Sequence, residues 1–203
     1  GEALASIASV SEIKLSTKSI EDEIASEIFA IEGMIQDLKP SSLTAGTEIV
    51  VEKLFENIPA RKKFLKAKAT ENKAIQDILN KFVIANPQVS FYIDIDGIIR
   101  NYPASDLKTR IASILKVKED DLIEVFNDSQ IKISGFVVHP RNFFKARTSQ
   151  FVFVNGRPII DNTIGKAAID GYDTFLMKHQ YPAYAIFLNM SPKDVDVNVH
   201  PRK

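Results

Sequence analysis

The chain has 203 residues, of which 45% are hydrophobic and 26% charged, as expected for a folded globular protein of one or two domains. Its 26 basic residues balance 26 acidic ones, which excludes a strongly basic protein that coats nucleic acid. Any contact with DNA therefore has to come from a local basic patch. The absence of cysteine excludes disulfides, thiolate catalysis and cysteine-based zinc sites, and no apolar run of about 18 residues predicts a transmembrane helix.

The first hundred residues predict strands, then helices, then a hairpin. Alternation of apolar and polar residues predicts the strands. Asp96-Gly97 between two such runs is a strong hairpin signal, because this residue pair accepts the positive φ angles of a tight turn. The predicted strands cover residues 13–17, 24–30, 34–38 (after a turn at Gly33), 47–51, 89–95 and 98–102.

Two helices are predicted between the fourth strand and this hairpin. Pro59 opens a short one, since proline is tolerated in the first turn of a helix. The longer one is predicted to follow Thr70 as N-cap and to end before Pro87. Its apolar residues at helical spacing are Ile75, Ile78, Leu79, Phe82 and Val83.

Residues 103–105, Pro-Ala-Ser, are typical of a linker, and we predict a domain boundary there, giving domains 1–104 and 105–203. The second domain predicts a mixture of helices and strands, with another hairpin turn at Asn155-Gly156. The whole chain therefore predicts two α+β units. The predicted elements after the linker are a helix at 107–115, strands at 122–126, 131–138, 150–154 and 158–160, a helix at 162–179 and a strand at 183–188.

Familiar catalytic signatures are missing from the chain, which has neither a P-loop, a Gly-x-Ser-x-Gly elbow nor a Gly-x-Gly-x-x-Gly run. Asp194, Asp196, Asn198 and His200 share one face if their segment is an extended strand, and such groups could bind a divalent metal. A polar strand edge is the favoured alternative, because successive ligands on one face would stand roughly 7 Å apart.

Two further patterns allow both a binding role and a purely structural one. Asn57-Ile-Pro-Ala-Arg61 precedes a helix, whose N-terminus and arginine could hold an anion, although Asn57 and Pro59 could equally just shape the turn. Two basic stretches suit contacts to phosphate, although a solvated surface explains such clusters more often. They comprise Arg61, Lys62, Lys63, Lys66, Lys68 and Lys73, and then Arg141, Lys145 and Arg147.

Four blocks in collinear order resemble the DNA mismatch repair proteins of the MutL family, and together they cover essentially the whole chain. Gly1-Glu-Ala-Leu-Ala-Ser-Ile-Ala-Ser-Val10 resembles the end of the family's Gly-Phe-Arg-Gly-Glu-Ala-Leu motif. Gly46-Thr47, with the run from Leu54 to Leu65, resembles its fourth ATPase motif. The segments 153–158 (Phe-Val-Asn-Gly-Arg-Pro) and 196–203 (Asp-Val-Asn-Val-His-Pro-Arg-Lys) resemble its transducer hairpin and transducer loop.

The resemblance implies an α+β fold: the C-terminal half of a GHKL-type ATPase sandwich, then a ribosomal-protein-type α/β transducer domain. It also implies contacts with ATP. Gly1, Glu2, Ala3 and Leu4 would belong to the lid over the triphosphate. Thr47 would lie on the pocket floor near the adenine. Lys203 would reach the γ-phosphate from the second domain and so couple nucleotide state to domain orientation. The polar residues before Lys203 would mainly shape its loop, which argues further against a metal site.

In this family the catalytic Glu, the magnesium-binding Asn and the adenine-binding Asp precede the position of Gly1. The resemblance therefore implies that ATP hydrolysis with Mg²⁺ belongs to a longer parent protein, and that no catalytic residue lies in this fragment. It also implies the parent's partners, which are the mismatch sensor MutS, DNA, a downstream endonuclease and helicase, and a second copy in the ATP-bound state. The expected location is the bacterial cytoplasm.

Several family members carry a basic residue that helps to bind DNA directly after the Asp of the transducer hairpin. Here Asn162 follows Asp161, which puts that contact in doubt, so Arg141, Arg147 and Arg157 become the candidate DNA contacts. Two alternatives remain at this point. The chain could belong to the ATPase subunit of a type II topoisomerase, which shares the two-domain plan, or it could be a non-enzymatic DNA-binding or interaction module.

Overall fold

The computed structural model describes residues 2–195, and the chain divides into two compact units, residues 1–71 and 72–203. The first unit is built on an antiparallel four-stranded sheet with strand order β3-β2-β1-β4. The tight turn between β2 and β3 is made by Glu32 and Gly33, both with positive φ, as the glycine predicted. The elements of this unit are α1 (Glu2–Ala8), β1 (Glu12–Lys18), β2 (Ala25–Ile31), β3 (Met34–Ser41), β4 (Gly46–Glu52) and α2 (Pro59–Lys62).

One face of this sheet carries apolar side chains, of which those in the outer strands β3 and β4 are exposed in the described chain. Leu15 of β1 pairs with Ile49 of β4 and with Ile28 of β2, and Ile28 pairs in turn with Leu38 of β3. Ile49 is 48% exposed and Leu38 is 66% exposed. Isolated exposed apolar residues are ordinary, but a contiguous apolar sheet face marks a surface that another element normally covers.

The second unit holds a five-stranded sheet of order β10-β9-β11-β8-β7 and a separate two-stranded hairpin, β5-β6. The pair β9–β11 is parallel and the other pairs of the larger sheet are antiparallel. Helix α3 (Lys68–Ala85) begins in the last residues of the first unit. The remaining elements are β5 (Phe91–Ile95), β6 (Ile98–Tyr102), α4 (Leu107–Leu115), β7 (Leu122–Asp128), β8 (Lys132–Val138), β9 (Gln150–Val154), β10 (Arg157–Ile159), α5 (Asn162–Asp170) and β11 (Tyr184–Asn189).

The core of the second unit joins the end of α3 and helix α4 to one face of the larger sheet. Ile84 and Ile111 are fully buried there, together with Phe153 of β9, an interior strand of the sheet. The ring of Phe153 stacks on that of Phe187 in β11, with centroids 4.6 Å apart. The second apolar cluster, on the other side of the sheet, includes Tyr184 and the half-buried side chains of α5.

A buried arginine ties the segments on either side of the predicted domain boundary together. Arg110 of α4 is 1% exposed, and its Nη1 donates to the carbonyl of Val83 at 3.3 Å. Its Nη2 donates to the carbonyls of Pro87, Val89 and Pro103 at 2.8, 3.0 and 2.7 Å. Burial lowers the pKa of Arg110. These bonds hold the end of α3 and the β5-β6 hairpin in the same compact unit as α4.

Along the chain, the boundary between the two compact units lies after residue 71. The boundary between the predicted domains 1–104 and 105–203 lies at the linker. The linker residues are part of the hydrogen-bonded cluster around Arg110, because the carbonyl of Pro103 is one of its acceptors. Units defined by compact packing need not end at the same residue as domains defined by family resemblance. The limits 1–104 and 105–203 therefore stay a prediction.

Two predicted helices differ from those in the structure. Helix α3 starts at Lys68 rather than after Thr70, and of its predicted apolar face only Val83 is fully buried, while Phe82 is half exposed. Helix α5 ends at Asp170 rather than at 179, because the chain turns at Gly171 and places Tyr172 in the interior, where its hydroxyl bonds to a carbonyl of β8. A helix that continued to 179 would have Phe175 on its buried apolar face, and this expectation is wrong, since the ring is 72% exposed.

Both predicted hairpin turns are confirmed by their backbone angles. Asp96 and Gly97 have φ of 54° and 77°, and Asn155 and Gly156 have φ of 48° and 79°. Such paired positive angles are those of the tight turns that match the twist of antiparallel strands. Among the helices of residues 2–195, none is long and apolar enough to cross a membrane.

Candidate functional site

A row of hydroxyl groups crosses the sheet of the first unit at Thr47. Thr17 of β1 lies between Ser26 of β2 and Thr47 of β4, and the three side chains share one face because they are register partners. The hydroxyls of Thr17 and Thr47 are 2.9 Å apart, and that of Thr17 also donates to the carbonyl of Gly46 at 3.3 Å. Thr47 is exposed, so its hydroxyl is oriented by a neighbour yet open to a ligand.

Sequence reasoning singled out Thr47 but missed Thr17 and Ser26. Alternation along β1 did place Thr17 on the same face as Ile13 and Leu15. The pairing of β1 with β4 is a long-range contact, however, and no local pattern in the sequence reports its register.

The structure brings the first two sequence blocks together within this unit. The amide of Phe55 donates to the carbonyl of Val10 at 2.8 Å, just after α1. The side-chain amide of Asn57 donates to the carbonyl of Ser9 at 3.4 Å. Arg61 stands over the ring of Phe55, with its guanidinium carbon 5.9 Å from the ring centre. These contacts support the structural interpretation of Asn57 and Arg61, which brace the loop that follows α1.

The remaining residues predicted to contact nucleotide divide between described and undescribed parts of the chain. Glu2, Ala3 and Leu4 form the exposed first turn of α1. Gly1 and Lys203 lie outside the described residues, as do Asp196, Asn198 and His200 of the metal hypothesis. Within residues 2–195, no group of three or more His, Asp or Glu side chains is arranged to hold a metal ion.

Asn155 of the transducer-type hairpin fixes the chain that leaves β11. Its side-chain oxygen accepts from the amide of Met190 at 3.0 Å, and its own amide donates to the carbonyl of Leu188 at 2.9 Å. Met190 is the first residue after β11 in the segment that continues toward Lys203. The third sequence block is therefore in direct contact with the chain that leads into the fourth.

The three predicted DNA-contacting arginines lie in different surroundings. Arg141 forms an ion pair with the buried carboxylate of Asp121, to which its Nε donates at 2.8 Å. The hydrogen bond from Arg141 is the main reason that the pKa of Asp121 lies below its usual value. Arg157 is exposed at the start of β10. Arg147 stands over the ring of Tyr181, 5.1 Å from its centre.

Only Arg147 of these three lines the large cavity of the second unit, which has a volume of about 610 Å³. The structure places two further cations at this cavity, Lys81 of α3 and Lys166 of α5, and neither was singled out from the sequence. Their convergence depends on the packing of α3 and α5 near β9, so spacing along the chain carries no signal for it.

Comparison with known proteins identifies relatives along the entire chain. A family model described as the C-terminal domain of DNA mismatch repair protein matches residues 112–203. The DNA mismatch repair protein MutL of Clostridium botulinum (strain 657 / Type Ba4) is 39% identical over 207 aligned positions, which cover all of this chain and 31% of that protein. The chain thus spans about a third of the length of this curated relative.

Solved structures with the same fold are similar to nearly the whole chain. The ADP-complexed MutL ATPase domain of Aquifex aeolicus is 26% identical, with a TM-score of 0.78 over 94% of this chain and 72% of that one. The N-terminal domain of a DNA repair protein is 25% identical, with a TM-score of 0.80 over 99% of this chain and 67% of that one. The likeness confirms the predicted α+β class with its GHKL-type and transducer parts. The order of the four sequence blocks, the fold and the relatives agree, and the chain is similar over its whole length to one region of the MutL family of DNA mismatch repair proteins.

Proposed function

We propose that this chain is the part of a mismatch repair ATPase that senses bound nucleotide and passes its state to DNA-binding and partner-binding surfaces. The observation that carries the proposal is the oriented hydroxyl pair of Thr17 and Thr47, 2.9 Å apart, in a chain similar to an ADP-binding MutL ATPase domain. An exposed hydroxyl that is held by a neighbour is suited to reading one polar atom of a base.

Thr47 binds near the adenine, and the start of α1 contributes backbone amides to the triphosphate, where exposed N–H groups favour negative charge. Lys203 contacts the γ-phosphate, since a long flexible cation distinguishes ATP from ADP by one charged group. Mg²⁺ and a general-base Glu, both held by the longer parent, supply the chemistry of hydrolysis. The described residues orient and sense the nucleotide.

The exposed apolar face of the first unit's sheet supports this assignment. Leu38 and Ile49 present a surface that remains uncovered by residues 2–195. In the proposed parent protein, further segments of the ATPase domain pack on this face and complete the nucleotide pocket. Covering it contributes stability at roughly 25 cal/mol per Å² of apolar surface removed from water.

Loss of the Thr47 hydroxyl in the full-length parent tests the adenine contact. Thr47→Val keeps the shape and β-branching of the side chain, and loss of one hydrogen bond of about 0.5–1.5 kcal/mol should weaken ATP binding roughly two- to tenfold. Thr70→Val makes the same chemical change at an exposed position of α3 and should leave affinity unchanged. Equal affinities for wild type and Thr47→Val, measured by calorimetry, would remove the proposed contact.

A second experiment tests the nucleotide sensor itself. Lys203→Ala in the full-length parent should slow ATP hydrolysis and weaken nucleotide-driven self-association, because the γ-phosphate loses its cation. Steady-state ATPase assays and size-exclusion chromatography with and without ATP measure both effects. Unchanged ATPase kinetics would count decisively against this role of Lys203.

The proposed partners are DNA, MutS, a downstream endonuclease and helicase, and a second copy of the parent. Arg141, Arg147 and Arg157 are the proposed DNA contacts. If the fragment binds duplex DNA through them, affinity should fall steeply between low and moderate salt, because counterions are released from the phosphates. Absence of binding at low salt would mean that this part of the parent does not contact DNA by itself, and nucleotide-independent binding would favour the alternative of a non-enzymatic module.

A further inference from the structure

The cavity of the second unit has the size and lining of a ligand site. Its volume of about 610 Å³ falls within the range of roughly 300–1,000 Å³ that is typical of sites for small molecules. Apolar side chains from β9, β10 and α5 form part of its wall, among them Val152, Ile159 and Ile169. Such a wall accommodates the flat, weakly polar body of an organic ligand.

The charges around the cavity favour an anion. Lys81, Arg147 and Lys166 line it together with two carboxylates, Asp77 and Asp161, so the lining carries one net positive charge. One oxygen of Asp161 already accepts from the amide of Ile164 at 2.8 Å, as the N-cap of α5. The stacking of Arg147 on Tyr181 restricts the motion of its guanidinium and presents a planar cation at the cavity.

A buried tyrosine adds an unused hydrogen-bonding group. Tyr184 is 1% exposed and lines the cavity, and no hydrogen bond joins its hydroxyl to another of residues 2–195. The hydroxyl lies 3.6 Å from the position that a Cβ on Gly165 would take, and Gly165 also lines the cavity. Burial raises the pKa of Tyr184, and the positive charge of Arg147 partly opposes this rise. The guanidinium of Arg147 therefore interacts electrostatically with the phenol of Tyr184.

The neighbouring tyrosine shows the usual arrangement. The hydroxyl of Tyr172 donates to the carbonyl of Val138 at 2.5 Å, as buried tyrosine hydroxyls normally do when a protein partner is in reach. Tyr184 differs in that its hydroxyl lies at the wall of a cavity rather than against a carbonyl. A polar group in this position is available to a ligand.

We propose that this cavity binds an organic phosphate of mononucleotide size, with Arg147 and the Tyr184 hydroxyl on the phosphate and the apolar wall against the base. The site lies wholly in the second unit and is separate from the Thr47 row, so the inference does not depend on the proposed ATP contact. Arg147 then serves this site rather than DNA, which leaves Arg141 and Arg157 as the proposed DNA contacts, because Asp77 and Asp161 would repel the neighbouring phosphates of a DNA strand at this lining.

Titration of the 203-residue chain with AMP, followed by calorimetry and by NMR, tests the proposal. Saturable binding should weaken at least tenfold in Arg147→Gln, because a charge-assisted hydrogen bond is lost, and about threefold or more in Tyr184→Phe, which removes only the hydroxyl. Arg157→Gln and Tyr92→Phe are matched changes at exposed residues that do not line the cavity, and they should leave affinity within about twofold. Inorganic phosphate should compete with AMP.

A blocking variant and a site control make the outcome decisive. Gly165→Leu places a side chain beside the Tyr184 hydroxyl from within a helix and should abolish AMP binding, while thermal melting checks that the variant is folded. Thr47→Val should leave AMP binding unchanged. The proposal is overturned if AMP does not saturate the protein, or if Thr47→Val weakens binding and Tyr184→Phe does not. It is also overturned if Arg147→Gln impairs only duplex DNA binding, which would identify a backbone contact instead.

Discussion

Replacing Arg110 with methionine should test how strongly one buried cation holds the second unit together. The guanidinium donates to four backbone carbonyls, contributed by Val83, Pro87, Val89 and Pro103, and stands 5.7 Å from the ring centre of Phe91. Arg110→Met keeps a long apolar side chain but removes every donor. The carbonyls then lose their partner in a place from which most water is excluded.

The expected loss follows from the number of protons rather than the number of acceptors. Three of the four carbonyls share Nη2, which has two hydrogens, so the four contacts correspond to about three full hydrogen bonds. At about 1 kcal/mol each, the free energy of unfolding should fall by about 3 kcal/mol. Arg110→Lys should lose roughly half as much, because the ammonium keeps its charge and three donors but cannot reach acceptors on several sides at once.

Urea unfolding followed by far-ultraviolet circular dichroism measures both losses, since the chain has no tryptophan to report by fluorescence. Arg157→Met serves as the control, because it makes the same chemical change at an exposed residue of β10 and should shift stability by no more than about 0.5 kcal/mol. A loss of less than about 1 kcal/mol in the free energy of unfolding of Arg110→Met would refute the reasoning. It would mean that removing the desolvation cost of the buried cation offsets the lost hydrogen bonds.

Three further predictions concern other parts of the second unit. Burial raises the pKa of Tyr172 to about 12, from an ordinary value of 10. The stability that the neutral phenol contributes is therefore complete below pH 10 and is lost as the pH rises toward 12. The alkaline unfolding profile should be steeper in wild type than in Tyr172→Phe. Gly135→Ala should destabilise by about 3 kcal/mol or more in urea, since φ is +132° and the new Cβ would lie 2.1 Å from the carbonyl oxygen of Ala185. The hydrogen bond from Arg141 is the main reason that the pKa of Asp121 is lowered from 3.8. This ion pair therefore stabilises the fold fully above pH 3.8, and the stabilisation is lost as the pH falls through the lowered pKa. Arg141→Ala should raise the pH midpoint of acid unfolding, and an unchanged midpoint would contradict the pairing.

Local chemistry accounts for the parts of the fold that could be predicted from the sequence. Asp96-Gly97 and Asn155-Gly156 each impose a turn within two residues, and both hairpins follow. The carboxylate of Asp106 likewise caps the start of α4, because it accepts a hydrogen bond from the amide of Thr109, three residues on. In each case the determining contact lies within a few positions along the chain.

Long-range packing accounts for the rest. The end of α5 is set by Tyr172, which reaches a carbonyl of β8 more than thirty positions earlier, so helical periodicity alone extended the helix too far. The partner of Thr47 is Thr17 because β1 pairs with β4. Arg147 lines the same cavity as Lys81 and Lys166 because the fold packs two helices distant in sequence beside it. Family resemblance located Thr47, but only the three-dimensional arrangement identifies what orients it.

The hydrogen bonds of Asn155 link a tight turn to the place where the chain leaves a neighbouring strand. The side-chain oxygen of Asn155 accepts from the amide of Met190, and its own amide donates to the carbonyl of Leu188, so the hairpin holds the backbone on both sides of Asn189, the last residue of β11. The turn therefore serves as a reference point for the direction in which the chain leaves the sheet. Asn155→Ala would remove the acceptor of the Met190 amide, while the bond from its own amide to the carbonyl of Leu188 would remain.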